Sequence, residues 1–71
     1  MNEEIMKLLE EILETSVSIE DSAETIESWD SLNHLRIILE IDDKFNISVG
    51  HDTIKKLDSV TKICDFIKNN S

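Results

Sequence analysis

The chain has 71 residues, sixteen of them acidic and seven basic, for a net charge of −9. That length supports one domain, residues 1–71, and the charge disfavours nucleic acid and anionic membrane as partners. It favours proteins with basic docking surfaces, although a merely solvated acidic surface would have the same composition.

Apolar residues Ile5, Leu8, Leu9, Ile12 and Leu13 follow the spacing of one helical face and predict a first helix over residues 3–15. Glu3 and Glu4 suit its positive end. From 16 to 30 the periodicity dissolves into Ser, Thr, Asp and Glu. A connection of this length in a small domain has to pack or to function. Val17, Ile19, Ile26 and Trp29 are the side chains available to pin it, with a short helical turn near Ala23.

A second helix is expected to start at Asp30 or Ser31 and to end near Phe45. Leu32, Leu35, Ile38, Leu39 and Phe45 are read as its inner face, with Ile41 at the margin. Asp30 is a good N-cap residue. Residues 46–50 hold the only glycine, Gly50, and read as a turn. His51 or Asp52 opens a short third helix carrying Ile54 and Leu57. Ser59 then caps a last helix with Val60, Ile63, Cys64 and Ile67 on one stripe, and Lys68 near its negative end. The lone Cys64 sits among apolar neighbours and reads as buried packing, with no internal disulfide available. The alternation at 45–49 would leave a strand with nothing to pair. The expected fold is all-α: a four-helix bundle of three longer helices and one short one, with a long loop between helices one and two. No run is long enough to span a bilayer and no charged leader precedes an apolar stretch, so a cytoplasmic monomer is expected.

The tetrad Trp29-Asp30-Ser31-Leu32 is the most informative feature. It sets one hydroxyl at a helix start behind a capping acid. Free backbone N–H groups and the positive dipole end make a phosphate comfortable there. The pattern points to a serine that is modified; the competing reading is a serine that simply occupies a good first-turn position.

In these features the chain resembles the acyl carrier protein family. The likeness runs along almost its whole length: the first amphipathic helix, the long loop, Asp30-Ser31-Leu32 opening helix two, Phe45 near its close, the short third helix, and Ser59-Val60 opening the last. Trp29 before the motif and Asn33-His34-Leu35 after it look more like stand-alone specialised or polyketide-type carriers. The resemblance implies that Ser31 carries a 4′-phosphopantetheine arm, placed there from coenzyme A by a separate phosphopantetheinyl transferase. The arm's thiol would hold an acyl group for acyl-loading and acyl-using enzymes with basic docking surfaces. Asp30 and Leu32 flank the attachment point. Leu32 is either a docking residue, as the resemblance implies, or a core leucine continuing the Leu35 stripe. The family's helix two usually bears acids where this chain has Asn33 and Arg36. That departure fits either a dedicated partner set or surface drift. Glu27, Leu32, Arg36, Glu40 and Asp43 are the expected docking residues, with Asp42 also acidic nearby. If an acyl chain is sequestered, Leu35, Ile38, Leu39, Ile54, Leu57 and Ile63 are the candidate lining. An aminoacyl or peptidyl carrier would share the same serine chemistry. An unmodified acidic helical module for protein binding is the reading from a different class.

Two other constellations carry less. Asp30, Ser31 and His34 share a helix start, but a hydrolytic triad also needs an oxyanion site in a pocket that excludes water. No residue is assigned a catalytic role, and His34 is expected to be solvated or to face a partner. Asp42, Asp43 and Asn46 lack the glycine and glutamate of a calcium loop, so no metal is assigned. The charge excess makes one prediction: added salt or divalent ions raise the melting temperature by screening self-repulsion. A flat response in a thermal melt series would show that repulsion does not limit stability.

Overall fold

The computed structural model describes residues 2–70. Four helices follow in order: α1 (Asn2–Leu13), α2 (Ser31–Phe45), α3 (His51–Ile54) and α4 (Val60–Asn70). Among the described residues there are no strands; the nearest thing is an isolated antiparallel bridge between Ser22 and Ser59. The protein is therefore all-α. No helix among these residues is long and apolar enough to cross a membrane.

α1 packs against α2 and α4. It buries Ile5, Leu8, Leu9 and Leu13, with Ile12 partly covered. The helix stops two residues sooner than its periodicity predicts. Glu14 adopts a left-handed φ of 54°, and its N–H returns to the Glu10 carbonyl at 2.8 Å. A non-glycine residue in that region is a local cost that ends the helix. The Glu10 carboxylate then accepts from the Val17 N–H at 2.9 Å, turning the chain into the loop.

The long loop is stapled to the rest of the fold. Val17, Ile26 and Trp29 are buried in the common core. Ala23 N–H donates to the Asp58 carbonyl at 2.8 Å, and Val60 N–H to the Asp21 carbonyl at 3.1 Å. Ile19 is not one of the anchors: its side chain is 46% exposed. Its carbonyl is used instead, accepting from the Thr61 hydroxyl. Near Ala23 the chain makes turns, with the Thr25 and Ile26 N–H groups both returning to the Ser22 carbonyl. The Asp21 carboxylate braces this stretch. It accepts from the Ser18 N–H and from the Thr25 hydroxyl, both at 2.9 Å. These hydrogen bonds, the Ser18 backbone first, hold its carboxyl below the usual range.

α2 is turned differently from the expectation. Its buried residues are Ile37, Ile38 and Ile41, whereas Leu32, Leu35 and Leu39 are 65%, 49% and 60% exposed. Ile38 and the half-buried Phe45 lie inward as expected, but Ile41 is central to the core and not marginal. At 3.6 residues per turn, His34, Ile37, Ile38, Ile41 and Phe45 fall on one arc that carries no formal charge. The three leucines fall roughly opposite, sharing their side with Arg36, Asp42 and Asp43. Burying the leucine side would have dragged those charges out of water; burying the isoleucine side costs no charge desolvation. The sequestering set named from the resemblance is corrected accordingly, because Leu35 and Leu39 face outward.

Asn46 closes α2 in the left-handed conformation, φ 55° and ψ 45°, which asparagine tolerates. Ile47, just beyond it, is buried at 5% exposure and anchors the following segment. α3 has four residues, none buried, and ends at Ile54; Leu57, expected on this helix, is buried from the turn that follows it. Ser59 caps α4 as expected, its Oγ accepting from the Lys62 N–H at 3.2 Å. Cys64 is buried and free. Burial, then the adjacent Asp65 carboxylate, pushes its thiol above the usual range, which disfavours the reactive thiolate.

The orientation of α2 is testable by deletion. Ile37→Ala, at a fully buried position, is expected to cost ~2–5 kcal/mol through lost transfer energy and a cavity. Leu35→Ala and Leu39→Ala, at exposed positions, should stay within about 0.5 kcal/mol of wild type. Chemical denaturation midpoints separate the two; equal losses would mean that the helix is rotated.

Candidate functional site

The N-terminus of α2 is built by its preceding residue. Asp30 is extended, φ −97° and ψ −176°, and its side chain accepts from the Asn33 N–H at 2.9 Å. One of the helix's orphan donors is thereby satisfied, and Ser31 becomes the first helical residue. Ser31 and Leu32 are both exposed. The hydroxyl thus stands on the surface at an opening turn, where a second protein can reach it.

The loop arriving at this point is held from both sides. Ser28 Oγ donates to the Leu13 carbonyl, and the Asn33 side-chain amide donates to the Ser28 carbonyl, each at 2.7 Å. Asn33 therefore has a structural job where the resembling family usually has an acid. A carboxylate accepts only, so it could not make that bond. The signal was in the residue type: an amide that reaches backward needs its N–H₂.

Beside Ser31 lies an open cleft of about 260 Å³, lined by Ala23, Trp29, Asp30, Ser31, His34, Lys55 and Asp58. Trp29 and His34 form its frame. Trp29 is buried, and its indole N–H donates to His34 Nδ1 at 2.9 Å. The other ring nitrogen, Nε2, lies 2.7 Å from the Ile54 carbonyl. His34 is thus half-buried and fully partnered, correcting the expectation of a solvated or partner-facing ring. Both of its nitrogens are engaged elsewhere, so it is not aimed at the Ser31 hydroxyl as a base. The missed signal was the pairing of Trp29 with His34 five residues on, since a buried indole N–H needs an acceptor. Asp58, on the cleft's far side, pairs with Lys62 at 3.0 Å. That hydrogen bond is the main cause of its lowered carboxyl pKa. Both partners are exposed, so the pair contributes little to stability.

The docking residues named from the sequence are all exposed: Glu27, Leu32, Arg36, Glu40 and Asp43. They do not form one cluster. Leu32, Leu35, Leu39, Arg36 and Asp43 share the outer side of α2. Arg36, Leu39 and Glu40 meet Glu11, Ile12 and Glu14 of the α1 end in a shallow groove. Glu27 lies apart, in a larger polar hollow formed by the α1 end and the loop. Leu35 and Leu39 are surface residues that the sequence reading placed in the core.

The fold therefore combines an exposed hydroxyl at a capped helix start, a cleft beside it, and an apolar row bordered by acids running away from it. The arrangement can present a group attached to Ser31. The cleft beside Ser31 is open to solvent. Replacing the cap, Asp30→Ala, is expected to cost ~0.5–2 kcal/mol, with Asp30→Ser close to wild type; thermal melts of the three proteins decide whether the cap sets this end of α2.

No protein-family model matches the chain, and no solved structure matches it.

Proposed function

We propose that this chain is an acyl carrier protein: Ser31 bears 4′-phosphopantetheine, and the protein presents thioester-bound acyl groups to successive enzymes without catalysing anything itself. The observation that carries the reading is the exposed Ser31 hydroxyl in the first turn of α2, behind the Asp30 cap. A transferase needs an oxygen it can reach, on a backbone that does not have to rearrange. The described helices also follow the order expected of the carrier's four-helix bundle.

The residues present fit the prosthetic group. The negative charge of a phosphodiester on Ser31 would lie at the positive end of α2, favoured by ~0.3–1 kcal/mol. Lys55 is the cation that shares the neighbouring cleft, and Trp29 and Ala23 offer apolar wall. When bound, the arm supplies a thiol that holds the acyl group and raises its effective concentration at the next enzyme. Leu32, Leu35 and Leu39 give partners an apolar strip to seat on, and Glu40 and Asp43 give a basic surface something to steer toward. Such contacts are small and release quickly, as a shuttle requires.

The same exposed leucines and acids would also suit an unmodified interaction module, so the modification itself is the deciding measurement. The unmodified protein is incubated with coenzyme A and a broad-specificity phosphopantetheinyl transferase, and its intact mass is recorded. A gain of one phosphopantetheine group, lost in Ser31→Ala, is expected. No gain, under conditions that load a control carrier, would reject the carrier reading in favour of the interaction module.

A further inference from the structure

The Trp29–His34–Ile54 connection has only one consistent protonation state. The indole N–H can only donate, so His34 Nδ1 must accept; the Ile54 carbonyl can only accept, so Nε2 must carry the proton. The ring is therefore a neutral relay of fixed tautomer, joining the loop, α2 and α3. Its two rings sit 6.2 Å apart, inclined by 27°.

What it holds is the least anchored helix of the fold. α3 has four residues, none of them fully buried, and only Ile54 packs against the core. Its own turn provides short-range bonds, from Thr53 and Ile54 N–H to the Gly50 carbonyl. At the Ile54 carbonyl the competing intrachain bond, from Leu57 N–H, is long at 3.4 Å, so the imidazole is the closer partner. The charged groups that line the cleft with His34 are Asp30 from the α2 cap, Lys55 following α3, and Asp58 ahead of α4.

We propose that His34 is a proton-sensitive latch: its neutral ring clips α3 to Trp29 across the cleft beside Ser31, and a second proton on the ring releases the clip. With both nitrogens protonated, Nδ1–H faces the indole N–H, donor against donor. The buried indole then loses the Nδ1 acceptor it has in the neutral form, and the cationic ring is drawn toward the Asp30 and Asp58 carboxylates. The ring leaves the position in which it braces Ile54, and the cleft wall loosens. α1, α2 and α4 keep their own apolar contacts, so the change is local. The latch does not depend on Ser31 being modified.

The unmodified full chain is the test object, and its single tryptophan is the reporter. Trp29 emission is recorded from pH 8 to pH 5 for wild type, His34→Gln and His51→Gln, the latter removing the other histidine. A one-proton emission change is expected in wild type and His51→Gln and not in His34→Gln. Amide exchange at Ile54 and Leu57 should accelerate below that transition, with the amides of α1 and α4 still protected. Imidazole ¹⁵N shifts of the wild type provide a second reading that needs no variant. At pH 8 they should show Nδ1 bare and Nε2 protonated. A pH-independent emission, the same transition in a folded His34→Gln, uniform loss of protection across all helices, or the opposite tautomer would each overturn the latch. The transferase mass assay is a separate measurement, so failure of the latch and failure of the carrier reading are told apart.

Discussion

The burial of Ile37, Ile38 and Ile41 against α1 is the contact from which the candidate site takes its direction. A helix has one rotation about its axis. Once the isoleucine arc is turned inward, Leu32, Leu35 and Leu39 must point away. Arg36, Asp42 and Asp43 stay hydrated on that same side. Had the leucines been buried instead, three charges would have met the core, and the acidic apolar strip along α2 would not exist.

The second constraint is the loop. A connection between α1 and α2 this long would cost entropy without return if it were loose. Here it returns packing and hydrogen bonds. Val17, Ile26 and Trp29 enter the core, and a pair of backbone bonds ties residues 21–23 to the stretch just before and at the start of α4. Ser28 and Asn33 then lock the last residues onto the α1 end and α2. The result is a fixed approach to Asp30, so that the Ser31 hydroxyl is held at the surface by a rigid entry and not by a floppy one. On the carrier reading, that rigidity means a transferase meets a preformed target.

The cleft next to Ser31 is where polar and apolar demands are reconciled. A tryptophan is large enough to cap a small core, but its N–H has to be satisfied. His34 satisfies it and passes the connection on to α3, which has little packing of its own. A single side chain thus couples the loop, α2 and α3 at the point where the proposed arm is attached. Lys55 and Asp58 give the rim both signs of charge. Lys62 moderates Asp58 from outside.

Much of this was legible in the residues alone. Local spacing located the starts of the four helices to within a residue or two, because amphipathic periodicity, the Asp30 and Ser59 caps and the Asn46–Gly50 turn are short-range signals; the end of α3 was missed, since Leu57, expected on it, lies three residues beyond. The position of Ser31 at a helix opening followed from the same signals. α2, however, carries two apolar stripes, and spacing cannot say which one is inside. Only packing against α1 decided it, and the charge-free arc through Ile37 and Ile41 is the clue that weighing charges against apolar positions would have found. Ile19 looked like an anchor because it is apolar, yet the bridge to α4 uses backbone there and leaves the side chain in water. His34 and Ile54 are twenty residues apart, and Trp29 joins them only in three dimensions. No local pattern encodes a hydrogen bond to a carbonyl on another helix. The sequence determined where the helices begin and that a serine opens the second; the tertiary structure decided which face of that helix is turned outward and what frames the serine, because burial is settled by all the elements together.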